Sequence, residues 1–128
     1  MARVLVVEDD ADVRALIERR LGAARHQVIA VDSAEAALKS VDERGMPDVA
    51  VLDVRLPGMS GTDLAPLLRS RASDTALRVI FLTADVLPHQ IAAGRAHGAT
   101  YLTKPFVTNA LLKAVDAALA DIAGPGSW

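Results

Sequence analysis

Short β-branched apolar runs alternate with longer stretches of helical period along this chain, and that alternation constrains its fold more than any other feature. The runs are Arg3 to Val7, Gln27 to Val31, Val49 to Leu52, Val79 to Leu82 and Thr100 to Leu102. Most are apolar on both faces, as strands are in a parallel sheet covered on both sides. Between the first two, Val13, Leu16, Ile17 and Leu21 recur at helical spacing, with Gly22 as the predicted C-cap. Asp32 and Glu35 read as a capping box for a helix through Ala37, Leu38 and Val41, with Glu35 and Lys39 as an exposed ion pair. A third helix carries Leu64, Leu67 and Leu68. Pro66 lies within it and predicts a start delayed to Asp63, or a bend. Pro88 opens a fourth helix ending near Gly98, and Leu111, Leu112, Val115, Leu119 and Ile122 share one face of the last.

Five strands alternating with five helices, joined by right-handed crossovers, predict an α/β fold. The specific expectation is a flavodoxin-like (βα)5 doubly wound parallel sheet of five strands in the order 2-1-3-4-5. A length of 128 residues suits one domain, expected over 1–123, with 124–128 as a tail or the start of a linker. Aromatic residues are 3% of the chain, so the core must be aliphatic and stacking platforms for single-stranded nucleic acid are lacking. A net charge of -2 from 14 basic and 16 acidic residues implies neither a nucleic-acid nor a membrane partner. Without cysteine, disulfides, thiolate–zinc sites and thiol catalysis are excluded. Val4 to Val7 is too short for a signal-peptide core, and no segment approaches the roughly 20 apolar residues of a membrane span. A cytoplasmic location is therefore expected.

Ligands of open parallel sheets bind outside the carboxyl ends of the strands. Those ends carry Glu8-Asp9-Asp10 after the first strand, Asp53 on the third, Thr83 on the fourth and Lys104 after the fifth. The expected strand order brings them into one cleft. Clustered carboxylates repel one another unless a cation lies between them, and an all-oxygen set favours a hard ion such as Mg2+. Asp53 could then attack phosphorus as a carboxylate nucleophile, with the Lys104 ammonium spreading charge on the transferring oxygens and the Thr83 hydroxyl donating to one of them. Taken singly, Asp53 reads as a turn former, Thr83 as a β-former, Lys104 as a surface lysine and Tyr101 as a half-buried structural ring. Jointly, the first three read as a site. Asp10 reads as the N-cap of the first helix rather than a ligand. His26, His89 and His97 share no ligand spacing and read as surface residues. Arg14, Arg19, Arg20 and Arg25 form a basic edge on the first helix, read as a solvated face ahead of a docking surface.

Four stretches carry a family resemblance: Val-Leu-Val-Val-Glu-Asp-Asp (4–10), Asp-Val-Arg-Leu-Pro-Gly-Met-Ser-Gly (53–61), Phe-Leu-Thr-Ala (81–84) and Lys-Pro-Phe (104–106). In this order the sequence resembles the receiver domain of two-component response regulators over nearly its whole length. The resemblance implies Asp53 as phosphoacceptor, with Asp9 and Asp53 as direct magnesium ligands, Glu8 acting through water, and the Arg55 backbone carbonyl completing the protein's share of the shell. It also implies Thr83 and Tyr101 as a switch pair and a cis Lys104–Pro105 peptide. The resemblance further implies that Arg55 and Asp85 stand at positions that flank the phosphoryl site and tune its hydrolysis, and they are expected to pair across the cleft mouth and hinder attacking water. Glu8 stands where Asp is common in the family, which implies a small change in metal affinity.

The implied partners are a histidine kinase or histidine phosphotransfer protein and a downstream target. A homodimer through the face of the fourth helix, fifth strand and last helix is also open. A phosphoaspartyl phosphatase of the haloacid-dehalogenase type is disfavoured, since its Asp-x-Asp pair would need an acid where Arg55 stands. A flavin-binding reading is disfavoured because Glu8, Asp9 and Asp10 would repel a nucleotide phosphate. A degenerate receiver that only binds a partner is the remaining alternative. The expectation is a signalling switch and not a metabolic enzyme.

Overall fold

The computed structural model describes residues 2–71, 77–83, 99–104 and 108–120. Its elements are β1 (Arg3–Val7), α1 (Ala11–Ala23), β2 (Gln27–Val31), α2 (Ala34–Arg44), β3 (Val49–Asp53), α3 (Gly61–Ser70), β4 (Arg78–Thr83), β5 (Ala99–Thr103) and α4 (Thr108–Ala120). The helix expected between Pro88 and Gly98 lies outside the described residues. All five strands pair in parallel in the order β2-β1-β3-β4-β5, as the alternation predicted.

The sheet is covered on both faces. On one, Leu5, Val7, Ala50, Leu52, Val79 and Phe81 meet Ala37 and Val41 of α2 and Leu64 and Leu68 of α3. On the other, Val4, Val6, Val51, Ile80 and Leu82 meet Ile17 and Leu21 of α1 and Leu111 and Val115 of α4. Each fully buried Val, Leu or Ile contributes about 1.5–3 kcal/mol, which makes β3, buried at every position, the spine of the sheet.

Three details differ from expectation at helix ends. Ser33, not Asp32, caps α2, its hydroxyl accepting from Ala36 N–H at 3.1 Å. Both side chains are competent caps; the chain leaves β2 so that Ser33 takes the extended cap conformation. Gly22 is not the end of α1. The helix runs on to Ala23, and Arg25 takes the left-handed position at φ 70°. Arg25 N–H then donates to the Gly22 carbonyl at 2.9 Å and His26 N–H to the Leu21 carbonyl at 3.1 Å, a Schellman closure built without glycine. Finally, α3 begins at Gly61 despite Pro66, because Ser60 caps it by accepting from Asp63 N–H at 3.1 Å. Pro66 falls on the exposed side, where the carbonyl that loses its donor can be hydrated.

Side-chain expectations shift as well. Lys39 sits 3.9 Å from Glu43, the partner one turn on, rather than being paired with Glu35. Leu16, placed on the core stripe by its spacing, is 38% exposed. His26 is half-buried rather than on the surface, and burial lowers its pKa. His89, His97 and Ile122 lie outside the described residues.

Candidate functional site

The residues that matter chemically sit where β1, β3, β4 and β5 end. Glu8 follows β1 directly, and its N–H is held by the Val31 carbonyl at 3.0 Å. Asp10 then caps α1, accepting from Asp12 N–H at 2.9 Å and Val13 N–H at 3.1 Å. That fixes its role as a cap and leaves Glu8 and Asp9 facing the cleft end. Asp53 is the last residue of β3, level with Leu82 on β4, so Thr83 stands one residue further out on the neighbouring strand. Lys104 follows β5, its N–H donating to the Thr83 carbonyl at 2.7 Å. The backbone of one expected site residue therefore anchors another.

Glu8, Asp53 and Thr83 are buried, and Asp9 is exposed. The Lys104 Nζ lies 2.5 Å from Glu8 Oε1 and 2.9 Å from Asp53 Oδ2, one ammonium between two carboxylates. Asp53 Oδ1 accepts from the Arg55 N–H at 3.0 Å. One carboxylate oxygen each from Glu8, Asp9 and Asp53 lie within 4.8 Å of one another. With both buried carboxyls ionised, Glu8 Oε2 is without a donor among the described residues. A proton held on Glu8 and shared towards Asp53 relieves that cost.

Burial, reinforced by the hydrogen bond and charge of Asp53 and opposed by Lys104, accordingly pushes the Glu8 carboxyl up to about 7. Burial also works to raise Asp53. Hydrogen bonds from Glu8, Lys104 and the Arg55 N–H outweigh it and hold Asp53 below the usual carboxylate range. Burial would lower Lys104, but Glu8 and Asp53 raise it, so the ammonium stays charged. At neutral pH the cleft holds a charged nucleophile candidate beside a charged lysine.

The donor set fits a hard divalent ion: three carboxylates, oxygen only, with one buried oxygen unpartnered. Gly61 keeps the site compact. Its N–H donates to the Val54 carbonyl at 2.9 Å, and a Cβ there would collide with the Asp53 carbonyl. Gly58, at φ 76°, supplies the left-handed residue that turns the loop between them.

Residues 4–116 match the family model of the response regulator receiver domain. The chain belongs to that family. Its curated relatives include the response regulator protein FleR of Pseudomonas aeruginosa, 39% identical over 115 residues, which are 89% of this chain and 24% of the relative. The two-component response regulator PhoP of the same species is 44% identical over 105 residues, covering 81% of this chain and 45% of PhoP. This receiver domain thus spans a quarter to a half of those relatives. Among solved structures, Vibrio cholerae chemotaxis protein CheY4 superposes with a TM-score of 0.80 at 31% identity, over 93% of this chain and 99% of the other. The receiver domain of Francisella response regulator 1452 gives 0.82 at 26% identity, over 96% and 100%. Receiver domains are signalling domains that bind Mg2+ at an acidic site and interact with histidine kinases or phosphotransfer proteins.

Within this receiver, Glu8, Asp9, Asp53 and Lys104 come together, and Thr83 joins them through its backbone. Tyr101 is half-buried, level with Phe81 rather than with Thr83. Arg55 is exposed, while Asp85 and Pro105 lie outside the described residues, and with them the expected Arg55–Asp85 pair and cis peptide. Sequence reasoning missed Arg14, whose Nη1 donates to the Glu8 carbonyl at 3.0 Å and so braces the acidic loop from α1. Its helical position, six residues beyond Glu8, was the available signal. No described helix is long and apolar enough to cross a membrane.

Proposed function

We propose that this domain is a phosphorylation-dependent switch of a two-component system or phosphorelay. The observation that carries the reading is the Lys104 ammonium held between the buried carboxylates of Glu8 and Asp53. Asp53 Oδ attacks the phosphorus of a phosphohistidine on a histidine kinase or phosphotransfer protein. The new P–O bond forms as the P–N bond breaks, and the histidine nitrogen keeps the electron pair. Asp9, Asp53 and the Arg55 carbonyl would hold Mg2+ directly, with Glu8 through water. When bound, the ion supplies charge neutralisation for the incoming phosphoryl oxygens. Lys104 stabilises the same oxygens from the β5 side.

Thr83 and Tyr101 form the switch that converts the phosphoryl group into a change of partner binding, and Arg55 with Asp85 tunes how long the group survives. The receiver occupies 1–123, with 124–128 as tail or linker, in a cytoplasmic setting. Its output is a partner protein or linked domain, with homodimerisation through the face of the helix expected between Pro88 and Gly98, the fifth strand and the last helix as one route.

Incubation with acetyl phosphate and Mg2+ tests the reading by intact mass. One acid-stable, base-labile phosphoryl group per chain is expected, absent in Asp53→Asn. Continuous turnover of donor with no accumulation would favour a phosphatase, and no incorporation would favour a degenerate receiver.

A further inference from the structure

The sheet face that carries Tyr101 offers its ring two neighbours on β4. Register places Phe81 directly opposite Tyr101, while Thr83 is opposite Thr103, two residues further along the same face. Strand geometry separates those two stations by about 6.6 Å, within the sweep of a tyrosine side chain. In this structure the ring is at the first station. It stacks on Phe81 with centroids 5.0 Å apart and an interplanar angle of 30°. Phe81 is itself buried in the core with residues of α2 and α3, so its ring is the fixed platform, and Tyr101 is the half-buried partner.

We propose that Phe81 is a positioning residue for Tyr101: the stack of the two rings holds the tyrosine in its resting rotamer and sets how readily it moves towards Thr83. The proposal rests on reading Thr83 and Tyr101 as the switch pair and adds what biases that switch. An aromatic pair contributes enough beyond area burial to shift a two-rotamer balance about fivefold. A leucine or isoleucine at position 81 keeps the site apolar but removes the platform.

Tyr101 is the chain's one tyrosine, so selective labelling of tyrosine gives a single set of signals. Three-bond couplings then report its χ1 populations. Without donor, one rotamer should dominate in the wild type. In Phe81→Leu and Phe81→Ile, either of which suffices should the other misfold, the second rotamer should rise about fivefold. Ile80→Val, on the opposite sheet face, should loosen the core without moving the tyrosine. The proposal is overturned if both Phe81 variants keep the wild-type χ1 distribution, or if Ile80→Val shifts it equally. A separate arm adds acetyl phosphate and Mg2+ to the wild type. Phosphoryl incorporation with unmoved χ1 would refute the switch reading itself, whereas the donor-free comparison decides the role of Phe81.

Discussion

Buried carboxylates meet basic side chains at both ends of this sheet, and the two ends behave differently because their stoichiometry differs. At the amino end, Asp48 pairs with Arg3 among the described residues, and both of its carboxylate oxygens are engaged. It accepts from Arg3 N–H at 2.9 Å, Nη2 at 3.1 Å and Nε at 3.5 Å. Its own N–H donates to the Arg3 carbonyl at 2.9 Å, so the fork staples β1 to the start of β3. At the carboxyl end, among the described residues, Glu8 and Asp53 share one ammonium with Asp9 close by, and Glu8 Oε2 is left over. The first arrangement is saturated and structural. The second sets three carboxylates against one ammonium among the described residues, the arrangement on which the proposed cation and phosphoryl site rests.

The sharpest way to break this comparison is to remove the shared ammonium. Lys104→Met should slow phosphoryl incorporation from acetyl phosphate by about 100-fold or more, since a charge aimed at the transferring oxygens is gone. The same variant should bind Mg2+ several-fold tighter by calorimetry, because the internal competitor has left; weaker binding would contradict the idea that Lys104 fills a cation vacancy.

Removing the carboxylate of the saturated pair should act on folding alone. Asp48→Ala is expected to destabilise the domain by about 2–3 kcal/mol in urea titrations, below the full cost of a broken buried pair because Arg3 can rehydrate. Its rate of phosphoryl incorporation, per folded molecule, should match the wild type.

Neutralising Glu8 should have the opposite sign. Its folded pKa of about 7 stands above the ordinary 4.5, so between those values the folded state holds a proton that the unfolded state has released. Metal-free stability should therefore fall as pH rises from about 4.5 to about 7 and level off beyond. Asp53, depressed below 3.8, contributes stability that is lost only as pH falls through its folded value. Glu8→Gln should abolish the upper slope and stabilise the metal-free protein at pH 8 by roughly 2 kcal/mol. A flat wild-type profile between pH 5 and 7, measured by urea unfolding, would remove the case for an unsaturated cleft.

The smallest effect tests the amino end again. Arg25 holds a left-handed conformation that glycine adopts freely, so Arg25→Gly should raise stability by about 0.5–1 kcal/mol with unchanged phosphorylation.

These two ends also differ in how well the sequence reveals them. Strand identity was legible because β1, β3 and β4 are apolar on both faces, as expected of a doubly covered parallel sheet, and strand order because the alternation with helices leaves few topologies. Glu8, Asp9, Asp53 and Lys104 were legible because each closes or follows a strand, and topology does the rest. The details that escaped reading depend on a choice between equivalent chemistries. Asp32 and Ser33 can both cap a helix, and only the path out of β2 selects Ser33. Gly22 is the better left-handed residue, yet the helix length required to bury Ile17 and Leu21 delivers Arg25 to that position. Arg14 and Phe81 act through a carbonyl and a ring that become their neighbours only after folding.

The central claim is that the unsaturated end exists to charge Asp53, and trapping the acyl phosphate tests it most directly. Borohydride reduction of the protein after acetyl phosphate and Mg2+ treatment converts a phosphorylated aspartate to homoserine, which peptide mass mapping locates. The account predicts homoserine at position 53 and nowhere else. Homoserine at Asp9, or a phosphoryl group retained on Thr83 with Asp53 intact, would contradict it.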